Sequence, residues 1–319
     1  MRKILTVAYY YASDIISKFV IRKKGKEDYY SSLKKYAGHK LLDAEEANLY
    51  IKEKIQSGEP FCAGRYGASE LFCSSMFEFD VVSKKEKAID QLYTWSGFFP
   101  NDVEKGNFFN KILIDSSLKL DIVGIWNLRF EEYYLKKYAK KDIRLTYLYN
   151  LEPWTSKNNP WTEALKGKNV LVVHPFADTI VKQYNKRKEI FLDSRLLPDF
   201  NLITFKAVQT IAGTKDERFN DWFEALAWMY EEIKKIDFDI AIIGCGAYGL
   251  PLAAKIKEIG KQAIHLGGST QIMFGIKGKR WDEDTDKEYI RKLYSDAWVY
   301  PNRIEKPQNA KAVEDGCYW

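Results

Sequence analysis

A glycine-rich turn in the last third of the chain has the spacing of a phosphate-binding loop. An apolar run, Ile240–Ile243, leads directly into three glycines in the order GxGxxG: Gly244, Gly246 and Gly249. Such a turn lets the backbone approach a ligand closely, and the helix that follows offers free N–H groups to an anion. The same spacing is also found as a tight turn in parallel α/β domains of any kind. The turn is therefore a candidate phosphate site with a purely structural alternative.

The residues around this turn predict a strand–helix–strand unit. Leu250–Ile259 places apolar residues on one helical face, and Gln262–Leu266 has the composition of the next strand. A nicotinamide dinucleotide would need an acidic residue about 20 positions further on to bind its ribose hydroxyls. That region contains His265 and Gly267, with no carboxylate before Asp282. This absence counts against an NAD-dependent oxidoreductase or epimerase, which is the second hypothesis.

A second glycine-flanked turn carries an arginine and a glutamate. The short strand Phe61–Ala63 is expected to end in a turn with Arg65 and Gly67, and the helix Ala68–Met76 follows with Glu70 in its first turn. The forked guanidinium group of arginine suits phosphate oxygens. Glu70 has two interpretations, as a catalytic carboxylate or as a partner for the positive end of the helix dipole.

A histidine follows another predicted strand. His174 comes directly after Val170–Val173, at the carboxyl end where open α/β sheets bind their ligands; a histidine that only caps the turn is the alternative. Strands and helices alternate along nearly the whole chain, which predicts an α/β fold with a mostly parallel sheet and helices on both faces. In such a sheet the turns at Arg65, His174, Gly244 and His265 converge on one edge.

Three short segments together resemble the GT-D-type glycosyltransferases. They read GRYGASE at 64–70, IGCG at 243–246 and AIHLG at 263–267. Members of that family carry an Arg-Phe/Tyr-Gly-Asp-Gly-Glu signature on an early strand-to-helix turn, and a late glycine-turn unit. The resemblance covers roughly residues 59–280. It implies a Rossmann-like, GT-D-like domain that uses a nucleotide sugar, often with a divalent metal, in building surface polysaccharide or protein-linked glycans.

The chain departs from the family signature at Ala68, which stands where the family has the aspartate of its Asp-x-Glu motif. One carboxylate, Glu70, is a poor site for a hard divalent cation. Asp178 is a candidate second ligand for Mn²⁺ or Mg²⁺. Alternatively the transfer is metal-independent, and basic side chains neutralise the diphosphate leaving group: Arg65, Lys279 or Arg280. A third outcome is a non-catalytic protein that binds a nucleotide sugar.

The resemblance and the turns together assign expected roles. Glu70 is expected to act as the general base, and His265 is the alternative because histidine titrates near neutral pH. The candidate acceptor platforms are Trp95 with Phe98 and Phe99, or Trp154 with Trp161, and packing is the alternative for each. The expected donor is a UDP-sugar and the expected acceptor a glycan or glycolipid. The donor is expected to contact these residues: Arg65, Gly67, His174, Gly244, Gly246, Gly249, Gly267, Lys279 and Arg280.

Composition and charge exclude some classes of protein. Of 319 residues, 46% are hydrophobic and 29% charged, which is typical of a globular chain and excludes a disordered one. The net charge of +6 suits anionic ligands or a membrane surface, but it is too small to indicate nucleic acid. The four cysteines have no zinc-site spacing and indicate reduced thiols, so we expect a cytoplasmic protein.

The chain is expected to divide into three parts. We expect a helical, basic segment over residues 1–43, a catalytic domain over 44–285, and a C-terminal helix and tail over 286–319 with the helix at Asp286–Trp298. Asp14 and Ser17 interrupt the apolar N-terminal stretch, so no transmembrane span is expected. Residues 1–40 are expected either to contact the inner face of the membrane peripherally or to pack as a first helix with solvated charges.

Overall fold

The computed structural model describes residues 2–319, apart from the side chains of residues 2, 27 and 31. Met1, which the sequence analysis includes in the first helix, lies outside the described residues. The strands are β1 (Lys35–Tyr36), β2 (His39–Leu42), β3 (Phe61–Gly64), β4 (Ile122–Ile125), β5 (Arg144–Tyr147), β6 (Asn169–His174), β7 (Asn201–Lys206), β8 (Ile240–Ile243) and β9 (Gln262–His265). The helices are α1 (Arg2–Lys24), α2 (Lys26–Ser32), α3 (Ala44–Ser57), α4 (Ala68–Glu78), α5 (Val82–Ser96), α6 (Gly106–Ser117), α7 (Glu131–Tyr138), α8 (Ala177–Tyr184), α9 (Arg187–Ile190), α10 (Trp222–Lys234), α11 (Gly249–Glu258), α12 (Ser269–Ile272), α13 (Lys279–Glu283) and α14 (Glu288–Arg291).

The strands form one sheet in the order β1-β2-β5-β4-β3-β9-β8-β6-β7. The short β1 runs antiparallel to β2, and every other pair in the sheet is parallel. Parallel strands need crossover connections, and helices supply them.

Both faces of the sheet are buried. Along β8, Ala241 and Ile243 belong to one hydrophobic cluster, while Ile240 and Ile242 belong to another. Successive side chains of a strand point to opposite faces, so the two clusters are the two sides of the sheet. Helices α4, α5, α6, α10 and α11 contribute to the first cluster, and α3 and α8 to the second. The predicted α/β fold, a mostly parallel sheet with helices on both faces, is confirmed.

Local signals in the sequence set the ends of the helices. Asp43 accepts a hydrogen bond from the Glu46 N–H, and the Glu46 side chain accepts one from the Asp43 N–H, so a capping box begins α3. Gly58, at φ 70°, ends that helix in the left-handed conformation that glycine tolerates.

The strand register aligns four carboxyl ends at one edge. Val173 of β6 pairs with Ile243 of β8, and Ile243 pairs with His265 of β9. On the other side of β9, Ala63 of β3 pairs with Ile264. The residues that follow β3, β9, β8 and β6 therefore emerge side by side.

Two parts of the chain differ from the sequence prediction. Residues 35–42, expected within a helical segment, form β1 and β2, which extend the sheet beside β5. The helix expected at Asp286–Trp298 is reduced to a 3₁₀ turn at Thr285–Lys287 and the single turn α14. Beyond α14, the side chains of Ser295 and Trp298 donate to the Ile190 carbonyl, so this segment packs against the protein without continuing the helix.

Helix α1 also differs from expectation. Its segment Lys3–Lys24 spans 22 residues and is, by length and composition alone, long and apolar enough to cross a membrane. Asp14 does not interrupt the outer apolar surface, because its side chain is buried against the rest of the protein and ion-paired with Arg129.

Candidate functional site

A cavity of about 210 Å³ opens at the carboxyl ends of β3, β9, β8 and β6. Its wall contains most of the residues that the sequence analysis proposed for the site: Arg65, Gly67, Glu70, His174, Gly244, Gly246, His265, Gly267 and Arg280. They come from four separate turns and from the start of α13. The fold thus brings together side chains that are more than 200 positions apart in the sequence.

Three of the proposed residues lie outside the cavity wall. Gly249 is the first residue of α11, packed against the ring of His265. The ammonium group of Lys279 pairs with Asp315. The half-exposed carboxylate of Asp178 lies 3.7 Å from the ammonium group of Lys206. The structure therefore does not place Lys279 or Asp178 for the donor or metal roles expected of them.

Arg65 presents a guanidinium group to the cavity. Its Nη1 donates to the carbonyl of Tyr66 at 2.9 Å, and its guanidinium carbon lies 5.2 Å from the ring centroid of Trp126. The Trp126 indole N–H donates to the same carbonyl at 3.0 Å. Among the side chains that the structure describes, no carboxylate forms an ion pair with Arg65. This cation is therefore available to an anionic ligand.

Arg280 is the second guanidinium group of the cavity. It donates to the Tyr318 hydroxyl at 3.0 Å and forms an ion pair with Glu314. Glu314, Tyr318 and Trp319 also line the cavity. The segment expected to be only a polar tail thus closes one side of the site.

Glu70 is held at the first turn of α4. The Ser69 hydroxyl donates to Glu70 Oε2 at 3.1 Å. The carboxylate folds back over Gly67, where an added Cβ would lie 1.8 Å from Oε2. Gly67 is therefore needed so that Glu70 can occupy this place on the wall. The position fits both interpretations of Glu70, as a catalytic carboxylate and as a partner of the helix dipole.

Two histidines line the cavity in the neutral form. Burial lowers the pKa of His174 to about 3. Burial, and then the nearby charge of Arg65, lower the pKa of His265 to about 3 as well. His174 Nδ1 accepts a hydrogen bond from the Phe176 N–H at 3.0 Å, so this ring also fixes its own turn. The reason for proposing His265 as a base, titration near neutral pH, does not hold in this environment.

The glycines of the GxGxxG turn serve packing inside the protein. A Cβ at Gly244 would lie 2.5 Å from the Gly267 carbonyl oxygen and 2.8 Å from His174 Cδ2. A Cβ at Gly249 would lie 2.2 Å from His265 Cε1. A 3₁₀ turn at Gly246–Tyr248 also separates β8 from α11. The close approach predicted between this turn and a ligand is, at Gly244 and Gly249, an approach between protein elements.

The donor atoms around the cavity do not fit a protein-held divalent cation. Within residues 2–319, no group of three or more His, Cys, Asp or Glu side chains is arranged to hold a metal. Glu70 and Glu314 both line the cavity, but Glu314 is engaged with Arg280. Mn²⁺ and Mg²⁺ take several oxygen ligands, and most of these would have to come from a bound diphosphate and water.

The structure adds residues that the sequence analysis did not propose. Trp126 lies beside Arg65, and Thr210 and Gln271 also line the cavity. No motif marks these positions, because each is brought to the cavity by the fold alone. A second cavity of about 300 Å³ shares Arg65, Trp126 and Arg280 with the first. The two guanidinium groups therefore stand between two spaces.

Comparisons with known proteins bear on this geometry. A model of the GT-D fold-like domain matches residues 42–273, which is more than half of the chain. No curated protein matches significantly. Two solved structures align with 84% of this chain and 93% of their own: a selenomethionine-substituted structure of domain of unknown function 1792, at 15% identity, and a structure of that domain described as having a distinct glycosyltransferase fold, at 14% identity. Their TM-score is 0.39, too low to carry an argument, so the assignment rests on the family match.

That match covers the Arg65 turn, the glycine turn and His265, the segments on which the resemblance to GT-D-type enzymes was based. The chain belongs to the GT-D-like family of glycosyltransferases.

Proposed function

We propose that this glycosyltransferase moves a sugar from a UDP-sugar to a glycan or lipid-linked acceptor, in the synthesis of surface polysaccharide or another glycoconjugate. The observation that carries the proposal is the pair of guanidinium groups, Arg65 and Arg280, beside the Glu70 carboxylate in one cavity. Basic side chains placed where negative charge develops stabilise a departing diphosphate. Trp95 and Trp126 line the same cavity, and we propose that their rings contact the sugar or the base.

The residues present suit an inverting transfer. The bond between the anomeric carbon and the β-phosphate oxygen breaks, and that oxygen keeps the electron pair. The acceptor hydroxyl oxygen forms the new bond to carbon, and its proton passes to Glu70. UDP leaves with its charge balanced by Arg65 and by Arg280, which exchanges Glu314 for the diphosphate. Since the cavity offers no metal-ligand set, we propose that these two cations take the place of Mn²⁺ or Mg²⁺.

We place the reaction in the cytoplasm, at the inner face of the membrane. The four cysteines are free and buried, which suits a reducing compartment. An acceptor attached to a lipid would be presented at that surface.

Glu70→Gln tests the proposed base. The substitution removes the proton acceptor but keeps the size of the side chain and a carbonyl oxygen for the Ser69 hydroxyl. We expect kcat for UDP release in the presence of acceptor to fall about 10²- to 10⁴-fold, while UDP binding is unchanged. Glu53→Gln, an exposed position on α3, is the matched control and should keep full activity.

Turnover that survives in Glu70→Gln would show that Glu70 is not the base. A wild-type protein that binds UDP-sugars but never releases UDP would favour the non-catalytic alternative, which Ala68 in the family signature keeps open.

A further inference from the structure

Helix α1 presents large apolar side chains to solvent. Their exposed fractions range from 58% at Phe19 to 73% at Ile4, and the set is Ile4, Leu5, Tyr9, Ile15, Ile16 and Phe19. Apolar side chains of this size are normally buried, so a cluster of exposed ones on one helix indicates a contact surface. Helix α1 lies outside residues 42–273, the part of the chain that matches the family model.

These side chains form one continuous surface. At 100° per residue, the six positions and the intervening Ala8 and Ala12 fall within an arc of about 140°. Between residues 4 and 19 this arc contains no charged residue. An apolar arc of that width is what a helix normally buries against a partner.

The opposite side of α1 is fixed to the protein. Asp14 is buried, and its carboxylate lies 2.6 Å from a guanidinium nitrogen of Arg129. Tyr10 packs on Phe130 with ring centroids 5.7 Å apart, and Arg129 lies 3.9 Å from the ring centroid of Tyr11. The apolar arc therefore faces outward from a helix that lies along the surface of the domain.

The charges beside the arc are positive. Arg22, Lys23 and Lys24 form the last turn of α1, and Lys18 is exposed one turn earlier. Asp14, the one acidic residue in the sequence of this helix, is turned inward. An apolar face bordered by lysine and arginine is complementary to a bilayer that contains anionic lipids.

We propose that α1 is an interfacial helix that seats the enzyme on an anionic phospholipid bilayer. The ion pair at Asp14 argues against a spanning helix, because spanning would move this carboxylate from Arg129 into hydrocarbon. Crossing the membrane would also separate α1 from Tyr133 and Phe130, which now pack against it.

The bound helix would also orient the cavity. Asn127 donates from its side chain to the Ser17 hydroxyl at 2.7 Å, and Arg129 pairs with Asp14. Trp126, at the start of the same loop, lines both cavities. Binding of α1 to a bilayer would thus hold the cavity near the membrane surface. The idea that a lipid-linked acceptor uses this arrangement rests on the proposed function.

Co-sedimentation of the full chain with vesicles tests the proposal. We expect binding to vesicles of phosphatidylcholine with phosphatidylglycerol, at least about tenfold weaker binding to phosphatidylcholine alone, and further loss in high salt. The double variant Ile16→Glu/Phe19→Glu should lose binding by at least about tenfold. Leu192→Glu/Ile304→Glu, which adds the same two negative charges at exposed apolar residues outside α1, is the control and should bind normally.

Circular dichroism and UDP binding confirm that each variant is folded. Absence of vesicle binding, or binding that Ile16→Glu/Phe19→Glu leaves unchanged, would overturn the proposal. So would a dimer in solution that the double variant dissociates without any lipid binding, or a native protein that only detergent releases from membranes. Vesicle binding needs no sugar donor, so its failure is distinguishable from failure of the transfer reaction.

Discussion

Glu131 is fully buried at the start of α7, behind the loop that carries Trp126. Its carboxylate accepts hydrogen bonds from the N–H groups of Trp126 and Leu128, at 3.2 and 3.3 Å, and from the Tyr36 hydroxyl at 3.4 Å. These donors favour the ionised form, but burial has the larger effect and raises the pKa of Glu131 from 4.5 to about 8. The group is therefore protonated in the folded protein at neutral pH.

This shift makes stability depend on pH. Because the folded-state pKa lies above the unfolded value, Glu131 stabilises the fold fully below about pH 4.5 and loses that contribution as the pH rises to about 8. The free energy of unfolding of the wild type, relative to Glu131→Gln, should fall over this range by up to about 5 kcal/mol. Urea unfolding at several pH values measures it.

Glu132→Gln, at the neighbouring and partly exposed position, is the control and should change stability little at any pH. A difference between wild type and Glu131→Gln that is constant with pH would contradict the raised pKa of Glu131.

At the residue scale, the sequence could identify candidates but not their environments. Arg65 and Glu70 follow a strand in a recognisable turn, so their place on the cavity wall could be anticipated. The pKa of His265 could not be anticipated, because it depends on burial and on the nearby charge of Arg65. Nor does any local pattern show that Asp178 lies beside Lys206 and away from the cavity.

At the scale of elements, the glycine turn shows how one pattern can serve two purposes. Glycine before a helix indicates either a ligand or a close contact between elements. Here β8, α11 and β9 meet so closely that position 249 has no room for a methyl group next to the His265 ring.

Gly249→Ala separates the two effects. Alanine favours a helix interior over glycine by about 1 kcal/mol, so propensity predicts a stabilisation that is smaller at Gly249, the first residue of α11. A Cβ 2.2 Å from a buried imidazole carbon predicts the opposite, and overpacking of this kind costs about 1–3 kcal/mol. We expect a net loss in the free energy of unfolding, measured in urea.

A double-mutant cycle provides the control for that experiment. In the His265→Ala background the ring is absent, so Gly249→Ala should become neutral or stabilising. An equal loss in both backgrounds would show that the contact with His265 is not the cause.

Strands and most helices could be predicted because their patterns are local. The strands at β6 and β8 are continuous apolar runs, and α10 has a clear 3.6-residue period. The two-residue β1 and four-residue β2 were not predicted, because strands this short show no periodic pattern in the sequence. Strand β2 is stabilised by its pairing with β5. The helix expected at Asp286–Trp298 was predicted too long, because Ser295 and Trp298 bind the Ile190 carbonyl and pack without continuing α14, which no local pattern shows.

At the scale of the whole molecule, strand order decides what converges. The sequence predicted that four turns share one edge, since parallel strands align their carboxyl ends. It did not predict that residues 313–319 return to the same edge, where Glu314 and Tyr318 engage Arg280. A polar segment that folds back to a distant part of the chain has no periodic pattern in the sequence, so this wall of the cavity could be seen only in the structure.

The net charge of +6 is likewise distributed by the fold. Part of it lies in the last turn of α1, at the edge of the apolar arc, and part in the two guanidinium groups of the cavity. A bilayer contact and a diphosphate site would thus use separate groups of cations on one molecule.

Calorimetric titration of UDP, with and without Mn²⁺, tests the central claim most directly. We predict that UDP binds without added metal, and that Arg65→Gln weakens binding about 10- to 100-fold, as expected for loss of a charged hydrogen bond. Arg303→Gln, an exposed arginine, is the control and should bind as the wild type does. UDP binding that requires Mn²⁺ would contradict the metal-independent site, and binding of NAD in place of UDP would contradict the nucleotide-sugar account itself.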